Sequence, residues 1–328
     1  MRTGAAAGHH GYYHEAVCFG SDEDLLAVAL PFLTGGVDAG EPTVVALGSR
    51  HTELVRAALP PGLPVTYLTG ASVYARPAGA IRAYRELLAG YHAGGAAQIR
   101  IIGAVPPEVL GVTWDWWARY ESAVNHAYDE FPLWGMCAYD TRTTSAAVLA
   151  DVRRTHPRTA LPGGRHVPNR DYTDPIPYLG ERRQPVPDPV QRTTPRADLL
   201  APTAAEARRA VRDAGRGHLP YQEVEDLIVA VSEAVANAHR HGRGPIRVRL
   251  WCGADRIVVA VTDSGTGPKD PFAGLLPAGD GSHGGLGLWI AHQSCNHVAL
   301  YRDPAGFTIR LTAGNPHHDL RPESAGPQ

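Results

Sequence analysis

Lysine is almost missing from this chain. Among 31 basic residues in 328, only Lys269 is a lysine. The first half therefore holds no candidate for the phosphate-reaching lysine of a P-loop. The arginine bias is in keeping with a GC-rich genome. Cysteine is scarce too. Cys18, Cys137, Cys252 and Cys295 stand far apart with no Cys-x-x-Cys pair, which argues against a disulfide framework or a zinc site. Long apolar runs are absent: none reaches about 18 residues, so no transmembrane helix is expected. The opening run MRTGAAAGHHGYYHEA lacks the apolar stretch of a signal peptide. An excess of one charge sign is absent as well, the formal net charge being −2. Nothing there attracts nucleic acid or an anionic membrane surface. The expectation is a cytoplasmic protein of about one to three domains, with neither nucleic-acid nor membrane partners. No internal repeat is present.

What is there concentrates between residues 223 and 291, in three short motifs. The first, SEAVANAHRHG, carries Glu233, Asn237 and His241. Val224, Leu227, Ile228, Val231, Val235 and Ala238 recur at helical spacing, so one helix face is buried. Glu233, Asn237 and His241 fall four residues apart and share one side of that helix. Polar groups beside a buried face need a partner. A magnesium nucleotide is one such partner, since magnesium takes oxygen ligands and keeps several waters. A solvated polar stripe on an amphipathic helix is the alternative.

The second motif, TDSGTG, follows a β-branched strand over 256–262 and carries Asp263, Gly265 and Gly267. A carboxylate at a strand end accepts hydrogen bonds from an exocyclic amine such as that of adenine. Glycines there permit close backbone approach. An ordinary Asp-Ser-Gly turn accounts for the same residues. The third motif, GGLGLWIA, carries Gly284, Gly285 and Gly287 and opens a helix. Free amides at a helix N-terminus favour phosphate, although a flexible loop reads the same way.

In this order and spacing the three motifs resemble the GHKL ATPase superfamily over about residues 200–314. Within it the chain is most similar to the anti-sigma-factor serine/threonine kinase branch. The resemblance implies a two-layer α/β sandwich (the Bergerat fold) with a mixed, largely antiparallel sheet. It implies Glu233 as catalytic base and Asn237 as magnesium ligand, with ATP and Mg2+ bound. The nucleotide set it implies is Asn237, His241, Asp263, Gly265, Gly267, Gly284, Gly285 and Gly287. Asp263 would meet adenine, Gly265 and Gly267 would shape that pocket, and Gly285 and Gly287 would lie at the phosphates. The implied partner is an anti-sigma-factor antagonist, a sigma factor, or both, with a homodimer possible. Asn296-His297 departs from the acidic residue this branch often carries after the motif helix, which bears on partner or dimer contacts.

Upstream, strands are expected over 14–19, 42–47, 65–68, 98–103 and 133–139. They alternate with helices over 21–36, 52–59, 77–93, 114–130 and 144–155. That pitch implies a parallel sheet covered on both faces. This half resembles the MEDS sensory domain through HEAVCFGSDEDLLAVALPFLTGGVDAGEPTVVAL, LWGMCAYD and the closing His156-Pro157. The resemblance implies a RecA-like α/β fold without phosphate-loop chemistry, and a sensing role for a small-molecule signal.

Three other features in this half compete with plainer readings. His9, His10 and His14, with Tyr12 and Tyr13, could bind a metal or small ligand, or form a partly disordered lead into the first strand. Trp114, Trp116 and Trp117 could line an apolar pocket or serve as core. Tyr139-Asp140 ends a strand, where α/β folds place ligands.

Prolines crowd residues 157–197, where an extended linker without regular structure is expected. The domain layout read from the sequence is a sensory domain over 1–160, a linker over 161–197, a kinase-like ATPase domain over 198–314 and a loose tail over 315–328. Thr203 and Glu206 form a capping box opening a helix over 203–216. Strands over 246–251 and 256–262 pair as a hairpin, strands over 297–302 and 306–311 close the sheet, and 269–283 would form a lid.

Two rival functions remain at this point. A histidine kinase needs a long helix pair bearing an acceptor histidine, whereas the segment before the motif helix is proline-rich and then a single short helix, with His218 outside any long one. A catalytically silent nucleotide- or partner-binding module is the other.

Overall fold

The computed structural model describes residues 1–68, 76–277, 286–304 and 306–317. The chain divides into two compact units. One comprises Met1–Tyr74, Ala80–Leu110 and Ala118–Leu179; the other comprises Ala75–Gly79, Gly111–Trp117 and Gly180–Gln328.

The first unit alternates strand and helix: β1 (Tyr13–Phe19), α1 (Asp22–Asp38), β2 (Thr43–Ala46), α2 (Ser49–Ala58), β3 (Thr66–Tyr67), α3 (Pro77–Ala93), β4 (Ile99–Gly103), α4 (Trp114–Ala127), β5 (Leu133–Asp140) and α5 (Ala146–Thr155). A short hairpin, β6 (Arg158–Leu161) and β7 (Arg165–Pro168), and a one-turn helix, α6 (Pro175–Gly180), follow. The sheet order is β3-β2-β4-β5-β1-β6-β7, and every pairing is parallel except β6 with β7. β2 and β4 are buried along their whole length, as central parallel strands covered on both faces are. Local chemistry sets the helix starts. Ser21 caps α1, its Oγ accepting from the Asp24 amide at 3.1 Å, beside acidic Asp22, Glu23 and Asp24 in the first turn. Leu25, Phe32 and Leu33 of α1 pack on Val45, Ile102 and Met136 of the sheet.

Arg100, inside β4, is the exception to that apolar strand. It is 3% exposed and its Nε donates to Glu41 Oε2 at 2.6 Å. Its remaining donors reach Phe32 O at 2.8 Å and Thr3 Oγ1 at 2.7 Å, and its guanidinium lies over the Trp134 ring. Glu41 also accepts from Thr3 Oγ1 and Gln98 Nε2.

The second unit contains β8 (Ala197–Leu200), α7 (Ala204–Gly215), α8 (Tyr221–His241), β9 (Arg247–Cys252), β10 (Arg256–Asp263), α9 (Leu286–Ser294), β11 (His297–Asp303) and β12 (Gly306–Gly314). Its sheet is antiparallel throughout, in the order β11-β12-β10-β9-β8. The two-residue period of β10 separates its faces. Ile257, Val259 and Val261 join the core with Val211 of α7 and Leu227 of α8, whereas Val258 and Ala260 pack with Trp251 and Val190 on the other face. Thr203 and Glu206 form the capping box that opens α7.

The two architectures are the expected ones: a parallel RecA-like α/β sheet and a two-layer GHKL-type sandwich. Two local expectations fail. Residues 157–197, expected to lack regular structure, hold β6, β7, α6 and the start of β8. Their prolines sit where no ladder amide is needed, as Pro168 does at the end of the edge strand β7. Asp188 in this stretch takes both Nε and Nη2 of Arg256, at 2.8 and 2.9 Å, and both side chains are buried. The N-terminus, expected to be partly disordered, is fastened instead. Arg2 donates to Gln98 Oε1 and Leu133 O, each at 2.8 Å, and Ala6 is buried.

Replacing Glu41 with Ala leaves Arg100 buried without its counter-charge. The expected cost is about 3–5 kcal/mol of unfolding free energy, measured by urea denaturation followed at the tryptophans.

Candidate functional site

α8 buries Val224, Leu227, Ile228, Val231, Val235 and Ala238, the apolar stripe read from the sequence. Glu233 and Asn237 lie at the margin of that stripe and are half-buried; His241, the last helical residue, is exposed. What meets the margin is Gly287, the second residue of α9. A Cβ built on Gly287 would stand 2.6 Å from Glu233 Oε2 and 3.0 Å from Asn237 Nδ2. The first turn of α9 therefore lies against the polar line of α8 so closely that only glycine fits without displacement. Its amides have no partner within the first helical turn, and two polar side chains stand beside them.

α8 ends at Gly242, whose amide bonds back to Ala238 O. The chain then meets the end of β10. Asp263 is 6% exposed, and its Oδ1 accepts from the amides of Gly265 at 2.6 Å and Arg243 at 3.2 Å. The Ser264 amide returns a bond to Arg243 O at 2.7 Å. Cβ atoms at Gly242 and Gly265 would come within 2.6 and 2.5 Å of the Asp263 carboxylate. One carboxylate oxygen is thus committed to backbone. Oδ2 has no protein donor among the described residues, so it remains an acceptor at a buried strand end. Gly267 has φ +76°, and its position faces the Phe307 ring.

The fold therefore brings Glu233, Asn237 and Gly287 together at one place, and Asp263 and Gly265 at the C-terminal end of the same helix. Gly284 and Gly285 lie outside the described residues, as does the part of the expected lid after residue 277. The described part of that segment packs on α9, with Gly274, at φ +85°, against the His292 ring. Gly242 and Arg243 were not singled out from sequence. The only signal was that Gly242 closes the first motif.

Other candidates sort differently. Trp114, Trp116 and Trp117, in the first turn of α4, are buried; that stretch, Gly111–Trp117, counts with the second unit, and Trp116 belongs to its core. Asp140 turns outward to Arg142, while Tyr139 turns inward, its hydroxyl donating to Glu121 Oε1 at 2.8 Å. His9 contacts Tyr13 and Tyr12 O. His14 is buried away from it, beside Asn125, Cys137 and His156. Burial pushes the Glu121 carboxyl up to about 7, holds His156 down to about 4, and raises the Cys137 thiol. The same unit has a cleft of about 600 Å³ between α1 and the sheet, lined in part by Phe32, Gly35, Arg100, Trp134 and His166.

Comparison with known proteins adds to this geometry. Residues 13–157 match the family model of the methanogen/methylotroph, DcmR sensory domain, and residues 197–313 match that of the histidine kinase-like ATPase domain. The serine-protein kinase RsbW of Listeria monocytogenes is 32% identical over 112 residues, 30% of this chain and 71% of the relative. The RsbW of Bacillus subtilis is 30% identical over 112 residues, 30% of this chain and 69% of the relative. Among solved structures, the RsbU and RsbW domains of a Mycobacterium tuberculosis protein align at 22% identity and a TM-score of 0.25, covering 41% of this chain and 34% of the other. That likeness is too slight to bear on fold or function. Directly ahead of α8, between β8 and α8, stands a single 12-residue helix, α7, and not a long helix pair.

Gly267→Ala is expected to cost at least about 2 kcal/mol, because a side chain there meets both the left-handed backbone and the Phe307 ring. Thermal unfolding compared with Gly217→Ala, also left-handed but with no neighbour near its Cβ position, separates the two contributions.

Proposed function

We propose that this chain, which belongs to the family of RsbW serine-protein kinases, binds a magnesium nucleotide in its second unit and phosphorylates a serine or threonine on a partner protein. The observation that carries the reading is the seating of Gly287 against Glu233 and Asn237. A helix N-terminus favours phosphate, and here it adjoins a carboxylate and an amide. Both are residue types that such a ligand and its metal require.

The residues present fit the nucleotide. Asp263, with Oδ1 held by two backbone amides, would offer Oδ2 to the adenine amine. Gly265 and Gly267 would shape the wall beside it. Asn237 would contribute an oxygen to magnesium. Gly287, with Gly284 and Gly285, would admit the phosphates, and His241 would stand at the exposed end of the polar line. The bound nucleotide supplies the γ-phosphoryl group, with magnesium offsetting its charge. Glu233 would accept the proton of the attacking hydroxyl at its carboxylate, its orientation set by α8 and by the close approach of α9. Proton transfer at a placed carboxylate would be the protein's contribution.

By analogy with the branch that the motifs resemble, the partner is an anti-sigma-factor antagonist, a sigma factor, or both, and the kinase unit pairs as a homodimer. The first unit takes a small-molecule signal, for which the 600 Å³ cleft has the size of a ligand site. The cell compartment consistent with this role is the cytoplasm.

Titration of ATP with magnesium into the full chain by calorimetry tests the site. Saturable binding is expected, weakened at least about tenfold in both Asn237→Ala and Asp263→Ala. Glu233→Gln is expected to keep that affinity while slowing ADP formation by about a hundredfold or more. A folded wild type that takes up no nucleotide would sink the reading and leave a partner-binding module.

A further inference from the structure

Four potential ligands converge inside the first unit, away from the nucleotide site. They are His14 on β1, Glu121 on α4, Cys137 on β5 and His156 directly after α5. The atoms that meet are His14 Nε2 with Cys137 Sγ, and His156 Nε2 with Glu121 Oε2. His14 Nε2 is 3.4 Å from Cys137 Sγ, His156 Nε2 is 3.5 Å from Glu121 Oε2, and all four ligand groups offer atoms within 4.8 Å of one another. A tetrahedral ion with bonds of about 2.0–2.3 Å has ligand-to-ligand edges of about 3.3–3.8 Å, a range that holds the spacing of the two measured pairs. His14, Glu121 and His156 are each at most 1% exposed. Yet His156 Nε2 has no hydrogen-bond partner among the described residues, and Glu121 Oε2 has none beyond the neighbouring Cys137 thiol. Two buried acceptors facing each other are costly unless something positive lies between them.

The surrounding residues orient the four groups. Asn125 Nδ2 donates to the carbonyls of Glu121, Ser122 and Thr155, at 2.8–3.1 Å. Its Oδ1 must therefore be the atom 2.9 Å from His14 Nδ1, which places the proton on Nδ1 and the lone pair of Nε2 toward Cys137. His156 Nδ1 donates to Val152 O at 2.8 Å, so its Nε2 lone pair is also free. Tyr139 holds Glu121 through Oε1 and leaves Oε2 turned to the cluster. Outer-shell hydrogen bonds that fix tautomer and carboxylate in this way are what metal ligands carry.

We propose that His14, Glu121, Cys137 and His156 form a binding site for one divalent cation of the zinc class. The donor set is one thiolate, one carboxylate and two neutral imidazoles, whose two negative charges a divalent ion cancels. One soft sulfur with nitrogen and oxygen suits zinc rather than magnesium or calcium. Binding displaces the protons of the Cys137 thiol and the Glu121 carboxyl to solvent. A cavity of about 40 Å³, lined by Tyr12, Tyr84, Tyr120 and Tyr128, reaches Cys137. That is room for about one water-sized further ligand.

The test is cobalt(II) titration of the chelator-stripped full chain. One equivalent is expected to bind, with a thiolate-to-cobalt charge-transfer band and intense visible bands of four-coordinate cobalt, both displaced by zinc. The charge-transfer band should vanish in Cys137→Ser and persist in Cys18→Ser. Cobalt affinity should fall at least tenfold in His156→Gln and in Glu121→Gln, which keep side-chain volume. Circular dichroism checks that each variant is folded. A folded wild type with no saturable cobalt band overturns the site and leaves a protonated hydrogen-bond cluster. A band undiminished in Cys137→Ser overturns it as well, by assigning the thiolate elsewhere.

Discussion

Taking a polar side chain out of water is costly unless something meets it, and both units are arranged around that cost. In the first, Arg100 enters the middle of an apolar strand, where Glu41, Phe32 O and Thr3 receive all three of its nitrogens. In the second, the Asp188 carboxylate closes on Arg256 with two bonds and draws the proline-rich stretch onto the outer face of the sheet. Neither pair is a source of net stability in itself, because desolvation offsets much of the attraction. Their effect is on placement. Removing either member would strand a charge, so the segments that carry them have one acceptable position.

The proposed nucleotide site would follow the same rule, with the partner supplied from outside. Asp263 has one oxygen satisfied by backbone and one open. Glu233 and Asn237 are half-buried against a glycine that contributes no polar side chain. The RsbW relatives and the ATPase family match cover this part of the chain, and the geometry gives its three motifs a physical reason. Gly242, Gly265 and Gly287 are each glycines whose Cβ would strike a polar side chain of the site, whereas that of Gly267 would strike the Phe307 ring.

The elements and motifs of the second unit were legible in sequence because their signals are local. Thr203 and Glu206 cap a helix three residues apart, the stripe from Val224 to Ala238 has helical spacing, and β10 is a run rich in β-branched residues. The parallel sheet of the first unit was legible for the same reason, from β-branched runs between helices. Residues 157–197 were misread because proline density reports lost amide donors, and edge strands do not need every donor. The N-terminus was misread because Arg2 is fastened by residues about 100 and 130 positions away.

By itself, then, the sequence determined the two architectures, the helix caps and the line of Glu233, Asn237 and His241, since periodicity and capping act within a few residues. Only the tertiary structure decided that Gly287 faces that line, that Arg243 helps hold Asp263, and that His14, Glu121, Cys137 and His156 share one buried point. Those four come from four elements, and no spacing rule joins them. The widely separated cysteines argued against a zinc site, because such rules describe ligands carried on one loop or hairpin. A site assembled by sheet pairing and helix packing has no short-range signature: its geometry exists only once the chain has closed around it.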